Sequence, residues 1–100
     1  MPAPTIRVEG QNGDLRCGGR VVAVLTGWHL ETYDDEENPV DVPTWRLTGA
    51  YRVENPYLWD HLGDAELRIQ LGRSTRRWRS VVLQSITPLV ITGEGEPEVV

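Results

Sequence analysis

Lysine and phenylalanine are absent from this 100-residue chain, cysteine and methionine occur once each, and no apolar run approaches the ~20 residues of a membrane-crossing helix. Without lysine, every basic side chain is an arginine, so all basic groups share planar, bidentate, stacking chemistry. Nothing in folding physics demands that absence; it reads as codon bias in a GC-rich genome. A single cysteine excludes an internal disulfide. Cys17 would need a neighbouring base and an activating field to act as a nucleophile, and it reads instead as a small semi-buried side chain. The start Met1-Pro2-Ala3-Pro4 lacks the basic and apolar regions of a signal peptide, so a soluble, non-exported protein is expected. Positive charge is also scarce. A net charge of −5 argues against a general nucleic-acid coat.

What remains is ordinary for a globular chain, 39% hydrophobic and 25% charged. The expectation is one β-domain over residues 1–100, because halves of about 50 residues would have marginal cores. Its dominant signal has period two. From Val22 the even positions read Val22, Val24, Thr26, Trp28 and Leu30. From Trp45 the odd positions read Trp45, Leu47, Gly49, Tyr51 and Val53, and Leu67, Ile69 and Leu71 alternate with Glu66, Arg68 and Gln70. Such alternation sets one face on a core and the other in water. No stretch sustains helical spacing over three turns. The fold class is therefore all-β: a small antiparallel barrel or sandwich of about six or seven strands.

Turn residues divide the runs. Gln11-Asn12-Gly13-Asp14 carries a strong hairpin signal and is expected to join Thr5–Glu9 to Leu15–Cys17. Gly18-Gly19 reads as a bulge or corner before a long strand at Arg20–Tyr33. Asp34 to Pro39 is a polar, acidic loop, and Asn55-Pro56 ends a strand at Trp45–Glu54. Tyr57–Gly63 holds the single helical turn expected. Arg73-Ser74-Thr75-Arg76 is read as a four-residue loop that pairs Leu71 with Trp78 and Ile69 with Ser80, because a one-residue slip would drive Arg77 into the core. Thr87-Pro88 precedes a last strand at Leu89–Thr92, and residues 93–100 read as an acidic Gly/Pro tail that frays or docks on a neighbour.

The strongest local charge feature is Arg73-Ser74-Thr75-Arg76-Arg77-Trp78-Arg79. As a nucleic-acid surface, its arginines would grip phosphates while Trp78 stacked a base. As a strand, Arg77 and Arg79 face solvent and Trp78 faces the core, with Arg46, Arg52, Arg68 and Arg79 in a stripe paired with Glu54 and Glu66. Alternation favours the strand. The opposite cluster, Asp34, Asp35, Glu36 and Glu37, lacks the ligand spacing and turn glycine of a calcium loop and reads as a solvated loop. Together the acidic loop and the arginine hairpin suit head-to-tail pairing between copies. His29 reads as an outward strand residue, and Asp60, His61 and Asp64 match no metal-ligand pattern. No cofactor, metal or catalytic residue is assigned. Trp28, Trp45 and Trp78 read as inward, whereas Trp59, beside Tyr57, is either an interface anchor or a plug over the barrel end.

The run Gly19-Arg20-Val21-Val22-Ala23-Val24-Leu25-Thr26-Gly27-Trp28-His29-Leu30-Glu31 resembles the opening of small β-rich structural proteins of tailed bacteriophages. Ile91-Thr92-Gly93-Glu94-Gly95-Glu96-Pro97 is similar to the final strand of some tail-tube proteins. The chain is short for a tail-tube subunit and lacks a long inter-subunit hairpin. The resemblance implies a non-enzymatic assembly protein of the tail-tube, head–tail completion or capsid-decoration kind, with other protein subunits as partners. It would reside in the virion, or in the cytoplasm if not phage-derived. The interface expected is Arg73, Arg76, Arg77 and Arg79 for charge, Tyr57 and Trp59 as apolar anchors, and Asp34–Glu37 as the acidic counterpart. The alternative is an OB- or SH3-like module that contacts single-stranded nucleic acid through the Arg73–Arg79 hairpin.

Overall fold

Two long strands organise the chain. The computed structural model describes residues 6–33, 44–62 and 64–100. In chain order the elements are β1 (Ile6–Gly10), β2 (Gly13–Cys17), β3 (Arg20–Tyr33), β4 (Thr44–Val53), α1 (Pro56–Asp60), β5 (Ala65–Leu71), β6 (Ser74–Ile86), β7 (Leu89–Glu94) and β8 (Glu98–Val99). Strand β3 carries β2 and then β1 along one edge and β4 along the other. Strand β6 carries β5 on one edge and β7, then β8, on the other. The order β3-β2-β5-β6-β7-β4 returns to β3 and closes a six-stranded antiparallel barrel, with β1 and β8 as additional strands. Closure leaves the barrel strands without free edges.

The barrel is filled by side chains. Leu15, Leu25, Leu47, Leu67, Ile69, Leu89 and Ile91 are almost wholly buried, and three tryptophans join them: Trp28, Trp45 and Trp78. All three indoles point inward, as alternation predicts. Trp45 and Trp78 meet with ring centroids 4.6 Å apart at a 38° tilt, within the range in which aromatic pairs add to simple burial. Such large rings fit because glycine faces them. A Cβ on Gly93 would stand 2.4 Å from Cζ2 of Trp45, its cross-strand partner. Strands β3 and β4 also approach closely: a Cβ on Gly49 would lie 2.2 Å from the Gly27 carbonyl oxygen.

Bulges account for the departures from strict alternation. In β3 the pairing with β4 shifts between Leu25 and Gly27, so Thr26 is the extra residue. Ala23 and Leu25 point inward before it, and Trp28 and Leu30 after it. The even-numbered face from Val22 to Leu30 is therefore not continuous; Val24, opposite Asp14 and Arg52, is on the outer side. A second shift, between Leu15 and Arg16, leaves Val22 unpaired with β2. Its carbonyl accepts from the Glu54 and Asn55 amides instead, at 2.8 and 3.0 Å.

The turns differ from expectation in three places. Asn12-Gly13 makes no hairpin: β1 and β2 run in the same direction along β3, one after the other. The hairpin lies at Gly18-Gly19, where Cys17 pairs with Arg20 and both glycines have positive φ, +60° and +80°. Those are the signs a type I′ turn requires. The β5–β6 turn is Gly72-Arg73, with Gly72 at φ +61°, rather than a loop over Arg73–Arg76. Leu71 accordingly pairs with Ser74, Ile69 with Arg76 and Leu67 with Trp78, four residues away from the expected register. A shift of four preserves the faces up to Trp78, but a bulge between the Leu67–Trp78 and Ala65–Val81 pairs then turns Val81 inward and leaves Val82, expected to share the inward face of Trp78, 56% exposed. Finally, residues 93–100 join the sheet, as the end of β7 and as β8.

Helix α1 is one turn. Asn55 caps it by accepting from the Leu58 amide at 3.1 Å, and Pro56 occupies its first position, where a missing N–H costs nothing.

Candidate interaction surfaces

The outer wall of β2, β5, β6 and β8 is a lattice of charge. Across it, Asp14 faces Arg68, Arg16 faces Glu66, and Arg68 faces Arg77. Each arginine finds a carboxylate. Arg16 donates to Asp14 at 2.8 Å and Arg68 to Glu66 at 2.7 Å. Arg77 reaches Glu98 at 2.5 Å and lies 3.9 Å from Glu66. Arg79 meets the other oxygen of Glu98 at 3.0 Å. Hydrogen bonds from Arg77 and then Arg79 hold the Glu98 carboxyl below the usual range, while the bond to Glu98 raises Arg77. Asp14 raises Arg16 in the same way. Arg52 pairs with Glu54 at 2.8 Å on β4.

The arginine hairpin is thus divided. Arg73 sits exposed in the Gly72-Arg73 turn, and the Nε of Arg76 donates to the Ser74 hydroxyl at 3.3 Å. Arg77 and Arg79 are engaged by β8. Glu98 lay in a segment that read as a tail, so its role was not anticipated. The one signal available was the β-branched pair Val99-Val100 after it, and the Val100 amide does continue the ladder by donating to the Thr75 carbonyl at 2.9 Å. The stripe expected from Arg46, Arg52, Arg68 and Arg79 keeps its pairs with Glu54 and Glu66, but Arg79 turns to Glu98 and Arg46 lies opposite Glu31.

The aromatic anchors separate as well. Trp59 packs against the core and stacks on Tyr51, with centroids 5.1 Å apart, so it covers the barrel end. Tyr57 is 70% exposed and stacks on His61, whose Nδ1 lies 2.8 Å from the Tyr57 carbonyl oxygen. Strand β5 starts beside α1 and ends at the Gly72-Arg73 turn, so seven extended residues, roughly 20 Å, separate Tyr57 from Arg73. They do not form one site. Asp34, Asp35, Glu36 and Glu37 lie outside the described residues.

Two further surfaces emerge that were not read from the sequence. On β6, Val82 is 56% exposed on the outer side, opposite Thr92. Beyond the bulge at Gln84, whose side-chain amide donates to the Thr92 hydroxyl at 3.0 Å, Ile86 pairs with the core residue Leu89 and is 49% exposed at the strand end. Val82 borders an open groove with Tyr33, Arg46, Thr92 and Glu94. In it Tyr33 donates to Glu31 at 2.5 Å, which raises the phenol and lowers the carboxyl. On β1, the only pairing among the described residues is with β3, so its other edge is unpaired there.

Among the described residues no three His, Cys, Asp or Glu side chains are grouped to hold a metal, and Asp60, His61 and Asp64 do not converge. No described helix is long and apolar enough to cross a membrane. Comparison with protein-family models, with curated proteins and with solved structures found no match.

Proposed function

We propose that this chain is a non-enzymatic assembly protein that works through protein–protein contacts on the outside of its barrel, as a component of a tailed-phage particle. The observation that carries the contact reading is the outer side of β6, where Val82 holds apolar surface in water beside the groove lined by Tyr33, Arg46, Thr92 and Glu94. Exposed apolar surface bordered by polar groups is the composition of a docking surface. The phage assignment rests on the resemblance of Gly19–Glu31 and Ile91–Pro97, and implies copies of the same chain or a larger shell or tube protein as partner.

The alternative, a single-stranded nucleic-acid module, has less in its favour. Phosphate binding through Arg77 or Arg79 would have to displace Glu98, which both already engage. The test of the assembly reading is mass by light scattering over rising concentration, for the native chain and for Val82→Asp. A mass that grows with concentration, and grows less in the variant, is expected. A native chain that is monomeric throughout contradicts self-assembly through this face.

A further inference from the structure

We infer that the edge of β1 left unpaired among the described residues is a dimer interface, at which β1 of a second copy of this chain pairs antiparallel about a two-fold axis at Val8. The inference rests on the assembly reading and names one of its contacts. Strand β1 reads Ile6-Arg7-Val8-Glu9-Gly10 and is hydrogen-bonded to β3 on one side. Its charged side chains are open to solvent, Arg7 70% and Glu9 77% exposed, and each already touches a group on β3. Arg7 meets Glu31 at 3.1 Å, and Glu9 meets His29 at 3.3 Å.

The sequence of β1 is complementary to itself. In an antiparallel pair, side chains that face each other share a face, so a symmetric register about Val8 sets Arg7 opposite Glu9 of the second copy, twice. Each row across the joined sheets then reads Glu31, Arg7, Glu9 of the second copy and His29 of the second copy, in which no two like charges are adjacent. Moving the register by two residues either way sets Arg7 opposite Arg7 or Glu9 opposite Glu9. Charge therefore selects one alignment. Such an interface is isologous and closes at two copies.

The apolar side of β1 agrees with that register. Ile6 is 53% exposed and would fall opposite Gly10 of the second copy. The space above Gly10 is bounded by the Trp28 indole, whose Cζ2 lies 2.3 Å from where a Cβ would stand. The Trp28 ring is already buried within its own chain, so an isoleucine from the neighbouring strand would meet no side chain opposite it at Gly10. Both the charge pattern and the size pattern of β1, large at one end and none at the other, are thus satisfied by the same antiparallel partner.

The experiment is sedimentation equilibrium on the native chain, Arg7→Glu, Glu9→Arg and the double exchange, with near-ultraviolet tryptophan signals as a check of folding. A native dimer is expected, weakened at least tenfold in each single variant, where like charges would face, and recovered in the double exchange. A native monomer, or a dimer indifferent to these changes, overturns the inference. A dimer abolished by Val82→Asp but not by the β1 changes overturns it while leaving the assembly reading intact. Should a variant fail to fold, hydrogen exchange of the native chain decides. Protection of the β1 amides that rises with protein concentration supports the interface, and concentration-independent exchange overturns it.

Discussion

The indole of Trp28 occupies the space in which Gly10 would carry a side chain, and its Nε1 donates to the Asn12 carbonyl oxygen at 2.9 Å. One side chain thus holds the passage from β1 to β2, where the edge of β3 is left for two residues. The same Asn12 oxygen accepts from the Gln70 amide at 3.0 Å, tying that passage to β5.

Substitution at Gly10 tests this directly. Gly10→Ala would force the ring or the strand to move, and overpacking of this kind costs about 1–3 kcal/mol. Chemical denaturation should show the loss. Gly27→Ala, with nothing within 4 Å of the added carbon, should leave the midpoint nearly unchanged.

Trp28 and Trp45 differ in one respect that mutation can isolate. Both are buried, but Trp45 Nε1 has no hydrogen-bond partner, whereas Trp28 Nε1 has one. Replacement by Phe removes similar volume from each. Trp28→Phe should therefore be the more destabilising, by about 1 kcal/mol, the net worth of a hydrogen bond. Equal losses, measured by urea unfolding, would remove the Asn12 contact from the account.

The hairpin between β5 and β6 depends on Gly72. Its φ of +61° is a left-handed conformation that costs an L-residue about 1–2 kcal/mol. Gly72→Ala should lower stability by that order, read from the thermal midpoint, while Arg73→Ala in the same turn should change it little.

Acid should release β8. The Glu98 carboxyl is held below its ordinary range, first by Arg77 and then by Arg79. A group with a depressed folded pKa contributes above its unfolded value, and that contribution is lost as pH falls through the folded one. The amide resonances of Glu98–Val100 should lose their sheet shifts as pH drops through the acidic end of the carboxylate range. In Glu98→Gln the same resonances should already be shifted at neutral pH and should respond much less to acid.

Fold class was legible because strands β4 and β5 keep their alternation without interruption: Trp45, Leu47, Leu67 and Ile69 all face inward as their spacing predicts. Strand β3 was legible only in part. The bulge at Thr26 changes phase within a run that has no proline or charge to mark it, and Gly27 just after it is the sole hint. Asn12-Gly13 misled because its dipeptide favours a hairpin locally, whereas pairing of β1 with the far half of β3 keeps the chain straight. Arg77, Trp78 and Arg79 were correctly placed on a strand with Trp78 inward, whereas Ser74, Thr75 and Arg76, read as loop, belong to the same strand. The neutralisation of Arg77 and Arg79 was hidden because Glu98 lies 19 residues beyond Arg79, a separation that no local pattern reveals. Tyr57 and Trp59, adjacent in sequence pattern, diverge because a single helical turn points them to opposite sides.

The central proposal is that the barrel meets proteins rather than phosphate, because Arg16, Arg68, Arg77 and Arg79 on its strands are already matched by carboxylates of the same chain. The most direct test is fluorescence anisotropy of a labelled single-stranded oligonucleotide titrated with the chain at low and moderate salt. The account predicts no saturable binding at moderate salt and only a shallow salt slope. Tight binding whose logarithm falls steeply and linearly with the logarithm of salt concentration, as release of several counterions demands, and which weakens in Arg77→Ala/Arg79→Ala, would contradict it.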